Sequence, residues 1–128
     1  MIEAVTSDKL PPPVGPFSPA IRMGEIVYLS GQVALGPDGS VTGTAAEQTE
    51  AVLRNIGVLL EAAGSSLDRV VKATVFLADM ADYAAMNTAY ARFFPSRPPA
   101  RTAVQVARLP RDAKVEIEVV AWAGPAGA

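Results

Sequence analysis

Arg101 follows Pro98-Pro99-Ala100 and opens a run of strand formers, so a stiff approach delivers its guanidinium to a sheet edge. A planar fork held this way suits bidentate capture of a carboxylate. Taken alone, such an arginine is more often an ordinary surface or salt-bridging residue. Glu116 and Glu118 stand two apart on a later strand, so they share one face with Cα atoms roughly 7 Å apart. That pair could do acid–base work on a water, although a solvated or ion-paired strand face is the commoner meaning of the spacing. Asn87 lies beside the apolar stripe of a helix, where capping or surface duty is usual. Ser30-Gly31-Gln32 ends a strand with a small residue, which either permits close backbone approach by a ligand or marks a bulge.

What is missing narrows the chemistry further. The chain holds 0 cysteines and 0 histidines. Disulfides, thiolate nucleophiles and the usual structural zinc sites are therefore excluded, as are Ser–His and Cys–His pairs and most transition-metal ligation. Any catalysis must rest on carboxylates, Arg, Lys, Tyr, hydroxyls, backbone groups and bound water. A formal net charge of −2, a pI near 5.0 and basic residues scattered singly give no footprint for nucleic acid. No phosphate-cradling loop, dinucleotide fingerprint or calcium-binding loop spacing occurs.

These residues need elements to position them. The 128 residues fit one domain, 1–128, and half of them are hydrophobic, enough to build a core. No apolar run has the length of a membrane span, and no signal peptide is evident, so neither a membrane partner nor export is expected and the cytoplasm is the default. Residues 1–15, through Pro11-Pro12-Pro13, read as an extended arm. A strand beginning near Phe17 is expected at an edge, because Pro16 and Pro19 interrupt it. Gly24-Glu25 turns into a strand from Ile26 to Gln32. Thr44 with Glu47 forms a capping box, and Val52, Ile56, Leu59, Leu60 and Ala63 make one helical stripe that Gly64 stops. Val70 to Leu77 is a strand, with Val71, Ala73, Val75 and Leu77 assigned to one face. Asp79 can cap a second helix with Tyr83, Met86, Tyr90, Phe93 and Phe94 as its stripe, ended by Pro95. Strands over Thr102–Val106 and Lys114–Ala123 complete an α+β order, β-β-α-β-α-β-β.

Two helices cover only one face of such a sheet. On the last strand Val115, Ile117, Val119 and Ala121 suit that covered face. The opposite face carries Lys114, Glu116, Glu118, Val120 and Trp122, with Tyr28, Phe76 and Thr74 from neighbouring strands. Aromatics and aliphatics mixed with carboxylates are odd for a freely solvated surface, so packing against another copy of the chain is expected, in an order the pattern does not specify.

The arrangement of these blocks resembles the RidA/YjgF family of reactive-intermediate deaminases over nearly the whole chain. Gly15-Pro16-Phe17-Ser18-Pro19-Ala20 is similar to the family's N-terminal motif and Leu29-Ser30-Gly31-Gln32 to its second-strand motif. Asn55-Ile56 and Leu60 to Gly64 match its first helix, Val71 to Leu77 its central strand, and Met86 to Phe94 its second helix. The most specific block is Pro99-Ala100-Arg101-Thr102-Ala103-Val104, continued by Val106 to Pro110 and Lys114 to Glu118.

The resemblance implies a chorismate-mutase-like fold with two helices on one face of a mixed sheet, and a barrel-like homotrimer with clefts between subunits. It implies that Arg101 binds the substrate carboxylate, aided by backbone near Gly31, and that Glu116 holds and helps activate the attacking water. Ser30 and Asn87 would line or support the cleft. The implied substrates are small-molecule 2-imino and enamine acids such as 2-aminoacrylate and 2-iminopropionate, converted to 2-keto acids and ammonia with no cofactor and no metal. An imine carbon is already electrophilic, so fixing the carboxylate, placing water and shuttling protons suffices. Phe17 stands where many members carry tyrosine, keeping the aromatic wall of the substrate site without its hydroxyl. Ala103 stands at a common cysteine position, and a backbone contact there survives the exchange. Three other readings remain. A regulatory trimer would bind a carboxylate metabolite without turning it over, and an enzyme for another imine-like intermediate would differ in substrate scope. Ribonuclease or translation-inhibitor activity, described for some members, sits poorly with the acidic charge and absent histidine.

Overall fold

The structure, a computed structural model, describes residues 1–125. Eight regular elements follow in chain order: β1 (Ile2–Val5), β2 (Ala20–Met23), β3 (Ile26–Leu29), α1 (Ala45–Ala62), β4 (Val70–Leu77), α2 (Tyr83–Ala91), β5 (Ala100–Gln105) and β6 (Val115–Trp122). They form one six-stranded mixed sheet in the order β1-β2-β3-β6-β4-β5. Only β4 and β5 run parallel, joined through α2, and the remaining neighbours are antiparallel. The last strand thus enters between β3 and β4, which α1 connects. The expected α+β architecture is present, with one more strand than the sequence pattern indicated.

Strand β6 alternates without a break. Val115, Ile117, Val119 and Ala121 are buried, while Glu116, Val120 and Trp122 are intermediate and Glu118 is exposed. Helix α1 lays Val52, Leu53, Ile56, Leu59 and Leu60 onto that buried face, each at most 1 % exposed. Fully burying such a side chain contributes about 1.5–3 kcal/mol, so this stripe anchors the core. The helix starts as its sequence dictates. Thr44 Oγ1 accepts from the Glu47 backbone N–H (3.1 Å), and Glu47 Oε1 accepts from the Thr44 N–H (2.9 Å). It ends where Gly64 takes φ +83°. There Arg22 donates from Nη1 to the Ala63 carbonyl (2.9 Å) and from Nη2 to that of Ala123 (3.1 Å), setting a positive charge at the helix C-terminus.

Several sequence expectations need correction. The second strand is not an edge: Ile2–Val5, read as part of an extended arm, pairs with β2 and takes the outer position. The first residues can do this because the chain holds no proline before Pro11, so each backbone N–H of Ile2–Val5 is free to join a ladder. In β4 a bulge between Val70 and Lys72 shifts the register, so Val70 enters the core and Val71 turns outward, 45 % exposed. Asp79 caps a short 3-10 turn, Met80–Asp82, rather than α2 itself. That turn rotates the start of α2, leaving Tyr83 exposed while Met86, Tyr90 and Phe94 are buried. Strand β5 begins at Ala100, so Arg101 is already paired inside the sheet. Among the described residues no helix is long and apolar enough to cross a membrane.

The two ends of α1 should dominate its contribution to stability. Thr44→Ala is expected to cost about 1 kcal/mol. Gly64→Ala should cost about 1–2 kcal/mol, because a side chain there is strained and would also meet Arg22 Nη1 at 2.7 Å. Chemical denaturation of both variants checks this; a Gly64→Ala protein as stable as wild type would mean the helix end is not held in the left-handed conformation.

Candidate functional site

The residues singled out from the sequence fall into two groups on different parts of the chain. The first surrounds a cavity of about 760 Å³ at the end of β3, where Phe17, Ser30, Gly31 and Glu116 all contribute to the lining. The chain segment 6–14 runs along one side of it, and Asn55 and Leu59 of α1 close another. Beyond β3 the chain rejoins the sheet through a single bridge. Gln32 N–H donates to the Ile117 carbonyl (2.8 Å) and Ile117 N–H to that of Gln32 (3.1 Å). Gly31 is thereby brought beside the side chain of Glu116, the residue before Ile117.

That approach requires glycine. A Cβ on Gly31 would lie 2.1 Å from Glu116 Oε2. The carboxylate is half-buried, and burial raises its pKa above the ordinary carboxylate value, helped by the like charge of Glu118 two residues on. Its proton affinity is thus moved toward the range a general base needs. Ser30 Oγ donates to the Ser18 carbonyl (2.7 Å), and Gln32 Nε2 to the Ser30 carbonyl (3.0 Å), so this end of β3 is braced by its own side chains. Phe17 is 48 % exposed, an aromatic wall at the rim. Pro110 completes the lining from a 3-10 turn in which Arg111 and Asp112 both hold positive φ (57° and 55°). Arg108 grips Asp112 through Nε (2.6 Å) and Nη2 (3.1 Å), while Arg111 Nη1 donates to the Gly39 carbonyl (2.9 Å). Those contacts hold a turn whose backbone costs roughly 1–2 kcal/mol per left-handed residue.

The second group lies at the β5 edge. Arg101 pairs with Ala73 of β4, and both point to the helix-covered face, since Ala73 is fully buried. Arg101 and Asn87 line a smaller hollow of about 290 Å³ with Tyr90, Phe94, Pro98 and Pro99. The guanidinium carbon lies 4.8 Å from the Tyr90 ring centroid and 5.6 Å from that of Tyr83. Its Nη2 donates to Tyr83 Oη (3.1 Å), and Nη1 lies 3.8 Å from Met86 Sδ. The Asn87 amide and then the Arg101 charge draw the Tyr83 phenol below its ordinary pKa. Burial pushes Tyr90 the other way, and its hydroxyl, like Asn87 Oδ1, has no partner among the described residues. Ala103 lines neither hollow; it shares the face of Arg101 and packs, partly buried, against the core.

Within one chain the two groups do not meet. Arg101 is in register with Ala73 and Val119, whereas Glu116 is opposite Phe76 on the other face of the sheet. Strands β6 and β5 are separated by β4, about 10 Å apart in total, and the side chains leave in opposite directions. Neither Arg101 nor Glu116 takes part in an ion pair among the described residues. No grouping of Asp and Glu there fits a metal ion. Tyr83 and Tyr90 were not read as site residues from the sequence, and Gln32 and Asn55 entered only as parts of motifs, with no role of their own. The two tyrosines were counted as core on helical spacing, although an amphipathic ring in such a stripe always has a polar tip to place.

The contact between Gly31 and Glu116 is open to direct test. Gly31→Ala must displace the carboxylate, which sits at the end of a flexible side chain. The pKa of Glu116 should fall back toward its ordinary value in a carbon-13 NMR titration, with little change in the unfolding midpoint. An unmoved pKa would show that the glycine does not hold the carboxylate in its half-buried position.

Known proteins share both the sequence and the fold. The Endoribonuclease L-PSP family matches residues 7–123. The mouse 2-iminobutanoate/2-iminopropanoate deaminase is 42 % identical over 125 residues, spanning 96 % of this chain and 93 % of its own. The chloroplastic Reactive Intermediate Deaminase A of Arabidopsis thaliana is 45 % identical over 121 residues, 93 % of this chain and 65 % of that longer one. The crystal structure of yeast Mmf1 superposes with a TM-score of 0.92 at 38 % identity, covering 97 % of this chain and all of the other. With a match over almost every described residue and one shared fold, this chain belongs to the Endoribonuclease L-PSP family, the RidA/YjgF group that its sequence blocks resemble.

Proposed function

We propose that this protein is an imine/enamine deaminase that hydrolyses 2-imino acids to 2-keto acids and ammonia, at a site completed between copies of a homotrimer in the cytoplasm. The observation that carries the reading is the division of the site. A guanidinium without an acidic partner lies on one face, and a half-buried carboxylate without a basic partner lies on the other. Each is the half of a substrate site that the other lacks. Relatives at 42 % and 45 % identity that carry deaminase names support the same chemistry.

In this reading Arg101 of one copy reaches the cavity of its neighbour and takes the substrate carboxylate in two charge-assisted hydrogen bonds. Backbone at Gly31 and the wall formed by Phe17 orient the rest of the molecule, with Ser30 and Asn87 supporting either side and Ala103 offering only backbone. An enamine substrate first takes a proton on its terminal carbon and becomes the imine. Glu116 holds a water, accepts one of its protons, and the oxygen attacks the electrophilic imine carbon. Glu116 returns that proton to the imine nitrogen, giving the tetrahedral carbinolamine, and then relays the carbinolamine hydroxyl proton to the amino group as it collapses. The C–N bond breaks, the C=O bond forms, and ammonia leaves. One water is consumed, no electrons are transferred, and neither a metal nor a cofactor is required.

The exposed or half-buried residues on the open sheet face, Tyr28, Phe76, Val120 and Trp122, favour a partner of the same kind. A closed ring of head-to-tail contacts would bury them and bring each β5 edge to a neighbouring cavity. A ribonuclease reading is suggested by the family's description, but a net charge of −2 offers phosphates no attractive surface.

Light scattering at micromolar concentration should report about three times the 13.3 kDa chain mass, and a monomer would remove the shared site. Activity is read by generating imino acids in place with an amino-acid oxidase and trapping them with semicarbazide. Wild-type protein should suppress the trapped signal. Arg101→Ala should lower kcat/KM at least about a hundredfold, the worth of a strong bidentate contact. Glu116→Gln should lower kcat by roughly 10²–10⁴. Because Glu116 must be unprotonated to accept a proton and burial raises its pKa, the wild-type rate should climb with pH, on a limb above the ordinary carboxylate range. Wild-type turnover by Arg101→Ala, or no effect of wild-type protein on small, aliphatic or aromatic imino acids, would overturn the reading.

A further inference from the structure

An arginine inside a protein is usually held in place by a carboxylate, and that partner cancels the charge a ligand would use. Arg101 is held differently. Among the described residues its guanidinium has no acidic neighbour within ion-pair distance, and its polar contacts are Tyr83 Oη at 3.1 Å and Met86 Sδ at 3.8 Å. The rings of Tyr83 and Tyr90 add cation–π contacts. All four contacts come from α2 or its first residue and are electrically neutral. They restrict the side chain, which has many rotamers to lose, while leaving its full charge for an incoming anion.

Within this set Tyr83 is the one polar oxygen that accepts a hydrogen bond from Arg101, and it differs in kind from Tyr90. Tyr90 is 5 % exposed, and its ring belongs to the core, packed 4.7 Å from Phe94. Tyr83 is 39 % exposed and contributes nothing to the buried cluster, so core packing does not account for its presence. Its ring is placed by the 3-10 turn Met80–Asp82, which brings residue 83 to the edge of α2 next to β5. Asn87, one turn further along α2, stands beside the same phenol.

We propose that Tyr83 is a positioning residue for carboxylate recognition: its phenol oxygen steers the Arg101 guanidinium by a neutral hydrogen bond and so preorganises it without neutralising it. This role rests on the deaminase reading only through Arg101 as the carboxylate-binding group, so it can be tested by binding as well as by turnover.

The test compares wild type, Tyr83→Phe and Tyr83→Glu in three measurements: solution mass, calorimetric affinity for 2-oxobutanoate as the probe, and imino acid hydrolysis. An exposed position allows both variants to fold. Tyr83→Phe keeps the ring and loses the oxygen, so KM and the Kd for the probe should rise together by roughly tenfold, the worth of one hydrogen bond to a charged group, with kcat within about twofold. Tyr83→Glu installs a carboxylate beside Arg101 and should weaken probe binding further than Tyr83→Phe. A structural or steric role would not produce the order Tyr, Phe, Glu or the split between KM and kcat. Unchanged KM and Kd in Tyr83→Phe would overturn the proposal, as would a loss of assembly mass in that variant or a Tyr83→Glu protein that binds as tightly as wild type. If wild type binds the probe with this ordering but turns over no imino acid, the deaminase reading fails and the positioning role stands. If wild type binds no probe at all, both fail.

Discussion

The entry of β6 between β3 and β4 is the constraint on which the molecule depends. Until the last strand is in place, β1-β2-β3 is a meander with no partner on one side, and β4-β5 is a parallel pair with its inner edge open. Strand β6 closes both with antiparallel ladders and brings Val115, Ile117, Val119 and Ala121 under α1. Because strand side chains alternate, that choice of buried residues dictates which ones face away. Glu116 is directed to the open face by the burial of its two neighbours. A single-residue slip would bury two carboxylates and expose four apolar side chains, so the register is strongly specified.

Two kinds of preorganisation serve the proposed chemistry, and each relies on something small or neutral. At Gly31 the absence of a side chain lets a carboxylate lie against the backbone, half out of water, where its proton affinity rises. At Arg101 aromatic rings, a thioether and a phenol hold a cation without cancelling it. Both devices fit a chain that lacks histidine and cysteine. When the reacting carbon is electrophilic from the outset, correct placement of one anion and one water replaces a powerful nucleophile.

The helices and the central strand were legible in the sequence because their signals are local. The capping box at Thr44, the 3.6-residue stripe of α1 and the alternation of β6 each reappear in the structure as read. Three features were not legible for the same reason. The bulge at Val70–Lys72 depends on how β6 lies beside β4, so alternation alone put Val71 on the wrong face. Strand β1 exists because β2 offers an edge, not because Ile2–Val5 is a strong strand on its own, being short and largely exposed. Tyr83 fits the helical stripe of α2 by spacing, and only the preceding 3-10 turn carries it out of the core and onto Arg101.

The sequence by itself determined the chemistry available: no thiol, no imidazole, one arginine behind a stiff proline segment, and two glutamates sharing a strand face. It also determined the family, through ordered blocks along the chain, and the two-helix α+β pattern. Only the tertiary structure decided that Arg101 and Glu116 leave the sheet on opposite faces, that Gly31 presses on one, and that Tyr83 braces the other. The physical reason is that residue types and periodicities are properties of neighbours along the chain. Which face a strand presents, and what meets it there, is set by pairings between segments as distant as Gln32 and Ile117.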